Sequence, residues 1–221
     1  MRTALILLIG ILPQDQKKDL KAVNEKMEKA KSYRFTLKVT VEKEEKLSLE
    51  GEFFAPDALH LRSDKGEFAR KGDRKLSKAE NEDEWKEPRA KGRRGEVDEA
   101  NMPHDWAIKM AEQAPIVKRE KSDKIGAVTV DIYVYALGAD GAKKAAEAGG
   151  HPFVASVVDW SKTKNGLLFS VGRDDLYYRV EQRFDSERPG GKSGTIVLEF
   201  SDYGRAKCAL PDEVKKRLGI E

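Results

Sequence analysis

The chain has 221 residues, of which 37% are charged, and its 42 basic and 39 acidic side chains leave a net charge of only +3. A domain of this length removes about 70% of the unfolded chain's surface from water, which is enough for one substantial core. The near-neutral balance provides no strong field for nucleic acid, and we expect no nucleic-acid partner. Because Cys208 is the only cysteine, no intramolecular disulfide can form and packing alone must stabilise the fold.

The N-terminus is typical of an export signal. Met1 and Arg2 give a positive start, and residues 3–12 form a largely apolar run of ten. This length suits a signal core and falls short of the ~20 residues that span a bilayer. We therefore predict a signal peptide over residues 1–16, one domain over residues 17–221 and a soluble protein in the periplasm or outside the cell. The alternative is an apolar strand or helix edge buried in the fold, because residues 11–16 lack the small residues of a good cleavage site.

Two amphipathic helices are predicted from apolar residues that recur every three or four positions. The first covers residues 17–31, and its apolar stripe comprises Leu20, Val23, Met27 and Ala30. The second covers residues 103–114, where a proline suits the first turn and Pro115 ends the helix. Met102, Trp106 and Met110 form its stripe. Both helices must lie on a hydrophobic surface.

Strict alternation over residues 32–62 predicts long antiparallel strands with one buried face. The apolar positions of the first strand are Tyr33, Phe35, Leu37, Val39 and Val41, and those after the charged turn are Leu47, Leu49 and Phe53. Short strands follow near residues 67–70 and 74–78, and a further one is possible at Trp85. We predict later strands over residues 127–137, 153–160, 166–172, 175–184 and 194–200, with a tight turn at residues 164–166 and short helices over residues 142–148 and 212–218.

These elements predict an α+β fold: a curved antiparallel half-barrel sheet of about nine to eleven strands, with the helices of residues 17–31 and 103–114 packed on its concave face. Such a sheet surrounds an apolar interior rather than a catalytic cleft. The three histidines, His60, His104 and His151, lie 44 and 47 residues apart, without the local spacing of zinc ligands. We expect no metal site, no cofactor and no catalytic residue.

Three segments resemble the periplasmic lipoprotein carriers of the LolA-like family, with its LppX/LprG-like lipid-binding lipoproteins. Residues 51–62, a glycine followed by apolar alternation, a proline and an apolar-rich strand, resemble one strand of that family. Residues 68–76 are similar to its next strand, which crosses a glycine turn. Residues 195–204, followed by Pro211, resemble the last strand of the LprG-like branch. The order of elements matches from about Leu20 to Pro211.

The resemblance implies a non-enzymatic extracytoplasmic carrier or binding protein for lipid, lipoprotein acyl chains or another amphiphile. It also implies a lipid or acylated protein as ligand, an envelope protein as a further partner, and a monomer in peripheral contact with a membrane. No cysteine follows the apolar run, so the N-terminal lipid anchor of the LprG-like branch is not expected here. Apolar side chains that would line the pocket, each of which could equally be plain core, are Phe35, Leu37, Val39, Leu49, Phe53, Leu59, Leu61 and Trp106.

A basic stretch between residues 86 and 94 carries five basic side chains and one acidic side chain. As a lip for anionic head groups it would use Lys86, Arg89, Lys91, Arg93 and Arg94. The other interpretation is a solvated loop that leads into an acidic helix start.

Two other functions remain open from the sequence. An interaction or sensor module on the same fold would show a filled core, no ligand, and an exposed apolar patch or an open strand edge. An enzyme on an unrecognised scaffold would show a cleft with convergent titratable groups.

Overall fold

The computed structural model describes residues 17–88, 102–114, 116–148 and 152–220, so the predicted signal peptide lies outside the described residues. The strands are β1 Lys17–Asp19, β2 Ser32–Val41, β3 Glu44–Phe54, β4 Ala58–Ser63, β5 Gly66–Lys71, β6 Arg74–Ala79, β7 Ile116–Ile125, β8 Val128–Leu137, β9 Thr163–Gly172, β10 Tyr177–Ser186 and β11 Gly194–Ser201. The helices are α1 Lys21–Glu28, α2 Pro103–Glu112, α3 Ala139–Ala148, α4 Pro152–Val157 and α5 Asp212–Leu218.

All eleven strands belong to one antiparallel sheet with the order β1-β7-β8-β9-β10-β11-β2-β3-β4-β5-β6. Two meanders, β2 to β6 and β7 to β11, meet where β11 pairs with β2. Leu37 in β2 lies opposite Leu49 in β3 and Leu198 in β11, so the apolar rows of both meanders are continuous at the junction. The predicted α+β fold with a curved antiparallel half-barrel sheet is confirmed.

One face of the sheet, here called the inner face, carries the main core. The predicted alternation of β2 is confirmed, because its five apolar side chains are at most 2% exposed. A one-residue shift of register would turn these side chains to water and bring Arg34 and Lys38 inward. Side chains of α1, α2, α3 and α4 belong to the same core, so these helices cover the inner face.

The opposite face, here called the outer face, has a small core of its own at the β4 to β6 end. It consists of Ala69, Leu76, Trp85, Leu210, Val214 and Leu218. Val214 and Leu218 are one helical turn apart on α5, whose bounds match the predicted C-terminal helix. Arg217 donates to the Trp85 carbonyl over 2.8 Å, which fixes α5 to the chain that follows β6.

Three predicted elements are wrong in detail. Residues 153–160 form α4 and a 3-10 turn rather than a strand, and the buried Val154 and Val158 have the four-residue spacing of a helix. The predicted turn at residues 164–166 lies inside β9. The first predicted helix begins only at Lys21, because residues 17–19 pair with β7 as β1 and the Asp19 carboxylate accepts the Lys21 backbone N–H.

Candidate functional site

The predicted pocket residues all lie in the core between the helices and the inner face of the sheet. Strands β2, β3 and β4 provide seven of them and α2 provides the eighth. Their exposed fractions range from 0 to 7%, and they are Phe35, Leu37, Val39, Leu49, Phe53, Leu59, Leu61 and Trp106. The structure therefore brings all eight into one apolar region, which we call the interior.

Helix α2 is held on the sheet by a buried tyrosine-histidine pair. The Tyr33 hydroxyl lies 2.6 Å from His104 Nδ1 and accepts the His104 backbone N–H over 3.2 Å. Burial lowers the pKa of His104, against the opposing charges of Asp105 and Glu28. The imidazole is therefore neutral, and Nδ1 accepts the Tyr33 hydroxyl proton. Tyr33 also stacks on Phe53 of β3, with ring centroids 4.9 Å apart, so the contact between α2 and the sheet includes two stacked aromatic rings.

Helix α3 covers the other half of the interior with small side chains. Ala142, Ala145 and Ala146 lie on one side of the helix and are fully buried. This helix contacts β8, β9 and β10, and it also contacts α2 and α4. Each buried methylene contributes about 0.8 kcal/mol, so moving an alanine face off the sheet costs less than moving the Trp106 and Met110 face of α2.

Two polar atoms in the interior lack a hydrogen-bond partner among the described residues: Trp106 Nε1 and Gln182 Oε1. We call them the unpaired interior atoms. Trp106 is 1% exposed and Gln182 is fully buried. Gln182 Nε2 donates to the Ala142 carbonyl over 2.7 Å, so only the amide oxygen is unpaired. Leaving such an atom unpaired costs about 1–3 kcal/mol of stability. Most buried polar atoms in folded proteins have a hydrogen-bond partner, so these two atoms require an explanation.

Gln182 is not among the residues predicted from the sequence, although the alternation of its strand contained the signal. Val180, Gln182 and Phe184 alternate along a predicted strand, and the two apolar neighbours are buried in the core. A glutamine in an apolar register must project inward with them. Such a break in alternation predicts a polar group inside the core.

The predicted basic lip is described only at Lys86. Its backbone pairs with Ser77, and its side-chain nitrogen lies 3.2 Å from the Glu82 carboxylate. Arg89, Lys91, Arg93 and Arg94 lie outside the described residues, so the lip stays a prediction.

Two open pockets lie at the surface of the described part of the chain. The first, of about 430 Å³, is beside α5 and is lined by Asp73, Arg74, Lys75, Leu76, Glu87, Pro88, Arg217 and Leu218. The second, of about 590 Å³, is lined by Thr40, Glu42, Lys43, Arg183, Phe184, Asp185, Gly191, Ser193, Gly194 and Thr195. Neither includes any of the eight predicted pocket residues.

The described residues contain no cluster of three or more His, Cys, Asp or Glu side chains placed to bind a metal ion. No helix within the described ranges is both long and apolar enough to cross a membrane.

No protein-family model matches the sequence, and no curated protein matches it. Among solved structures, the chain is similar to the lipoprotein LppX of Mycobacterium tuberculosis, with 12% identity, a TM-score of 0.49, and coverage of 85% of this chain and 94% of LppX. It is also similar to LprF of Mycobacterium bovis, with 11% identity, a TM-score of 0.44, and coverage of 87% and 94%. The resemblance drawn from the sequence named the same LppX-like group. Structural similarity at this sequence identity does not identify a ligand. Function is therefore inferred below from this chain's own residues.

Proposed function

We propose that this chain is a non-enzymatic extracytoplasmic carrier or binding protein that holds an acyl chain or another amphiphile in the interior. The observation that carries the proposal is the composition of that region. It is apolar across both meanders, it is covered by short helices, and it holds two polar atoms that the described residues leave unpaired. A core that served only stability would pair or omit such atoms.

Binding of this kind needs no reactive group. About ten methylenes moved from water into the interior contribute about 8 kcal/mol, equivalent to a dissociation constant of about 1 μM before the cost of opening the cover. This affinity comes only from apolar surface of the ligand that is removed from water. The apolar side chains of β2, β3 and β4 are therefore sufficient to line the site.

Helix α3 is the part of the cover that would move to admit a ligand. Its buried face consists of alanines, whereas α2 is fixed to the sheet by the Tyr33 and His104 pair. Displacing α3 would uncover core positions of β9 and β10, two of the strands it contacts, and the stack of Tyr33 on Phe53 would remain in place.

A titration with dansyl undecylamide, an uncharged fluorescent amphiphile, tests the proposal on protein that has been unfolded, stripped of lipid and refolded. We expect saturable binding with a blue shift of the dansyl emission and competition by unlabelled acyl compounds. A folded wild-type protein without saturable binding would refute the proposed function.

A matched pair of variants locates the site in the same titration. Ala146→Phe adds a ring to the buried side of α3, and we expect it to weaken binding at least about ten-fold. Lys144→Phe adds the same ring to the exposed side of the helix and should leave binding unchanged. Equal effects of the two variants would place the site elsewhere.

A second function, the interaction module, is favoured by one specific observation. β1 pairs only with residues 116–118 of β7, so residues 119–125 have no strand partner on that side within the described ranges. The unpaired backbone N–H and C=O groups along such an edge are a template for pairing with another chain. Protein that binds no acyl probe, but whose β7 amides gain hydrogen-exchange protection in an envelope extract, would favour this function instead.

A further inference from the structure

The unpaired interior atoms are of opposite kinds, one a donor and the other an acceptor. An indole Nε1–H can only donate, and an amide oxygen can only accept. We propose that Trp106 and Gln182 are the specificity-determining residues of the interior, and that they select an uncharged acyl compound. Trp106 donates to an ester or amide carbonyl of the ligand, and Gln182 accepts from a hydroxyl or amide N–H. This inference rests on the proposed function.

A comparison of two tryptophans in the same core supports the role of Trp106. Trp160 is 6% exposed and donates its Nε1–H to the Ala155 carbonyl over 3.0 Å. Trp106 is more deeply buried, yet its Nε1–H meets no acceptor in the described part of the chain. The fold can therefore satisfy a buried indole. At Trp106 the donor is available to a ligand.

The amide of Gln182 has a fixed orientation. Only its NH2 group can donate to the Ala142 carbonyl, so a flipped amide would place two oxygens 2.7 Å apart. Because Ala142 lies on α3, the contact also ties the amide to the part of the cover that the proposed function requires to move. The oxygen on the other side of the amide is consequently held as an acceptor.

The surroundings favour a neutral ligand over a carboxylate. A buried carboxylate requires a paired cation and several donors. Arg70 lies on the inner face and is 8% exposed, but it is already engaged, with a guanidinium nitrogen 3.2 Å from Met102 Sδ. His104 is held neutral by burial and is occupied by Tyr33. An ester, amide or hydroxyl group needs only one hydrogen bond, which Trp106 can donate or Gln182 can accept.

The test compares four probes with long hydrocarbon chains by displacement of the uncharged dansyl undecylamide. They are 1-monooleoylglycerol, with an ester and hydroxyls; methyl oleate, with an ester only; 1-octadecene, with no polar group; and oleate, with a charge. For wild-type protein we expect affinity in that order, with 1-monooleoylglycerol about 100-fold tighter than 1-octadecene, as two added hydrogen bonds predict. Equal affinity for those two probes would overturn the inference while leaving the proposed function intact.

Two variants test the contributions of Trp106 and Gln182 separately. Trp106→Phe should weaken both esters about ten-fold and leave 1-octadecene unchanged. Gln182→Met should weaken 1-monooleoylglycerol about ten-fold and leave methyl oleate unchanged. A uniform loss for all four probes would show a packing role and contradict the assignment, as would unchanged ester binding in folded Trp106→Phe.

Trp160→Phe is the matched control, because its indole already has a protein acceptor. We expect it to lower the melting temperature by leaving the Ala155 carbonyl unpaired, without changing the ranking of the probes. Trp106→Phe should not lower the melting temperature by that route, because it removes a donor that the free protein leaves unpaired. If dansyl undecylamide itself does not bind to the wild type, the proposed function fails first.

Discussion

The outer face of β3, β4 and β5 and the interior both bury polar side chains, but they pair them to different extents. On the outer face, Glu52 and His60 are each 1% exposed. His60 Nδ1 lies 2.8 Å from Glu52, His60 Nε2 lies 3.0 Å from Glu67, and Arg62 donates to the second Glu52 oxygen over 2.8 Å. In the interior, Trp106 and Gln182 each keep an atom without a partner among the described residues. The same chain thus satisfies a demanding ionic cluster on one face and leaves simpler hydrogen bonds unmade on the other.

The pKa values of the outer cluster follow from this pairing. Burial acts to raise the pKa of Glu52, but the hydrogen bonds and charges of His60 and Arg62 outweigh it, so the pKa lies below its ordinary value. Burial opposes the same change at Glu67, where Lys78 and His60 lower the pKa. Buried charge is tolerated there because partners surround it. We infer that the contrast with the interior marks a structural cluster on one face and a binding region on the other.

The largest effect is expected from placing a charge in the interior. Leu37→Asp removes a fully buried side chain and introduces a carboxylate without a partner, so it should lower the free energy of unfolding by more than about 4 kcal/mol. Lys38→Asp, on the exposed side of the same strand, should change it by less than about 0.5 kcal/mol. Urea unfolding measures both. Similar losses would contradict the assignment of faces.

A smaller loss is expected from opening the outer cluster. His60→Leu removes the donor to Glu52 and leaves that buried carboxylate with Arg62 alone, so we expect a loss of about 3 kcal/mol in urea unfolding. The binding of acyl probes should not change, because the cluster lies on the face opposite to the interior. A loss below about 1 kcal/mol would show that the cluster is solvated in solution.

The Tyr33 and His104 pair predicts a distinct pH dependence. Burial lowers the pKa of His104, so between that folded-state pKa and the ordinary value of about 6.5 the unfolded chain binds more protons than the folded one. The free energy of unfolding should therefore fall as the pH falls below about 6.5, by up to about 1.4 kcal/mol per pH unit within this window.

Urea unfolding between pH 7 and pH 5 checks this slope. His104→Gln should flatten it. The Glu52 and Glu67 carboxylates cannot produce the slope, because their lowered pKa values place their losses at pH values below about 4.5. An unchanged slope in the His104→Gln variant would assign the titration to another group.

The smallest effect is expected at an exposed ion pair on the chain that follows β6. Lys86 lies 3.2 Å from Glu82, and both side chains are about half exposed. Lys86→Ala should change the free energy of unfolding by less than about 1 kcal/mol, and added salt should reduce even this difference. A loss comparable with that of His60→Leu would show that the segment is structural rather than a solvated loop.

Local alternation made much of the inner face predictable from sequence. The strands of residues 32–62, the apolar stripe of α2 and the α5 bounds all follow from periodicity that a single segment contains. β7 was not predicted, because residues 118–124 are all charged or polar and the strand forms by pairing with β8 near the edge of the sheet. Residues 152–157 form α4 where the sequence predicts a strand, because their apolar run is too short to show a period.

The candidate site was predictable only in part. Its apolar lining could be selected, since any buried strand face supplies it. Which polar atoms remain unpaired depends on contacts between residues that are far apart in the chain, such as Gln182 with Ala142. A sequence can place a glutamine on the inner face, but only the packed structure shows that its oxygen lacks a partner.

Native mass spectrometry of the full chain, purified from its native cells without detergent, tests the central claim most directly. We expect a bound species whose mass corresponds to one uncharged acyl compound per protein molecule, and a lower occupancy of this species in Trp106→Phe than in Trp160→Phe. Protein that carries only its own mass in this experiment, and that binds neither dansyl undecylamide nor 1-monooleoylglycerol after refolding, would contradict the claim that the interior is a binding site.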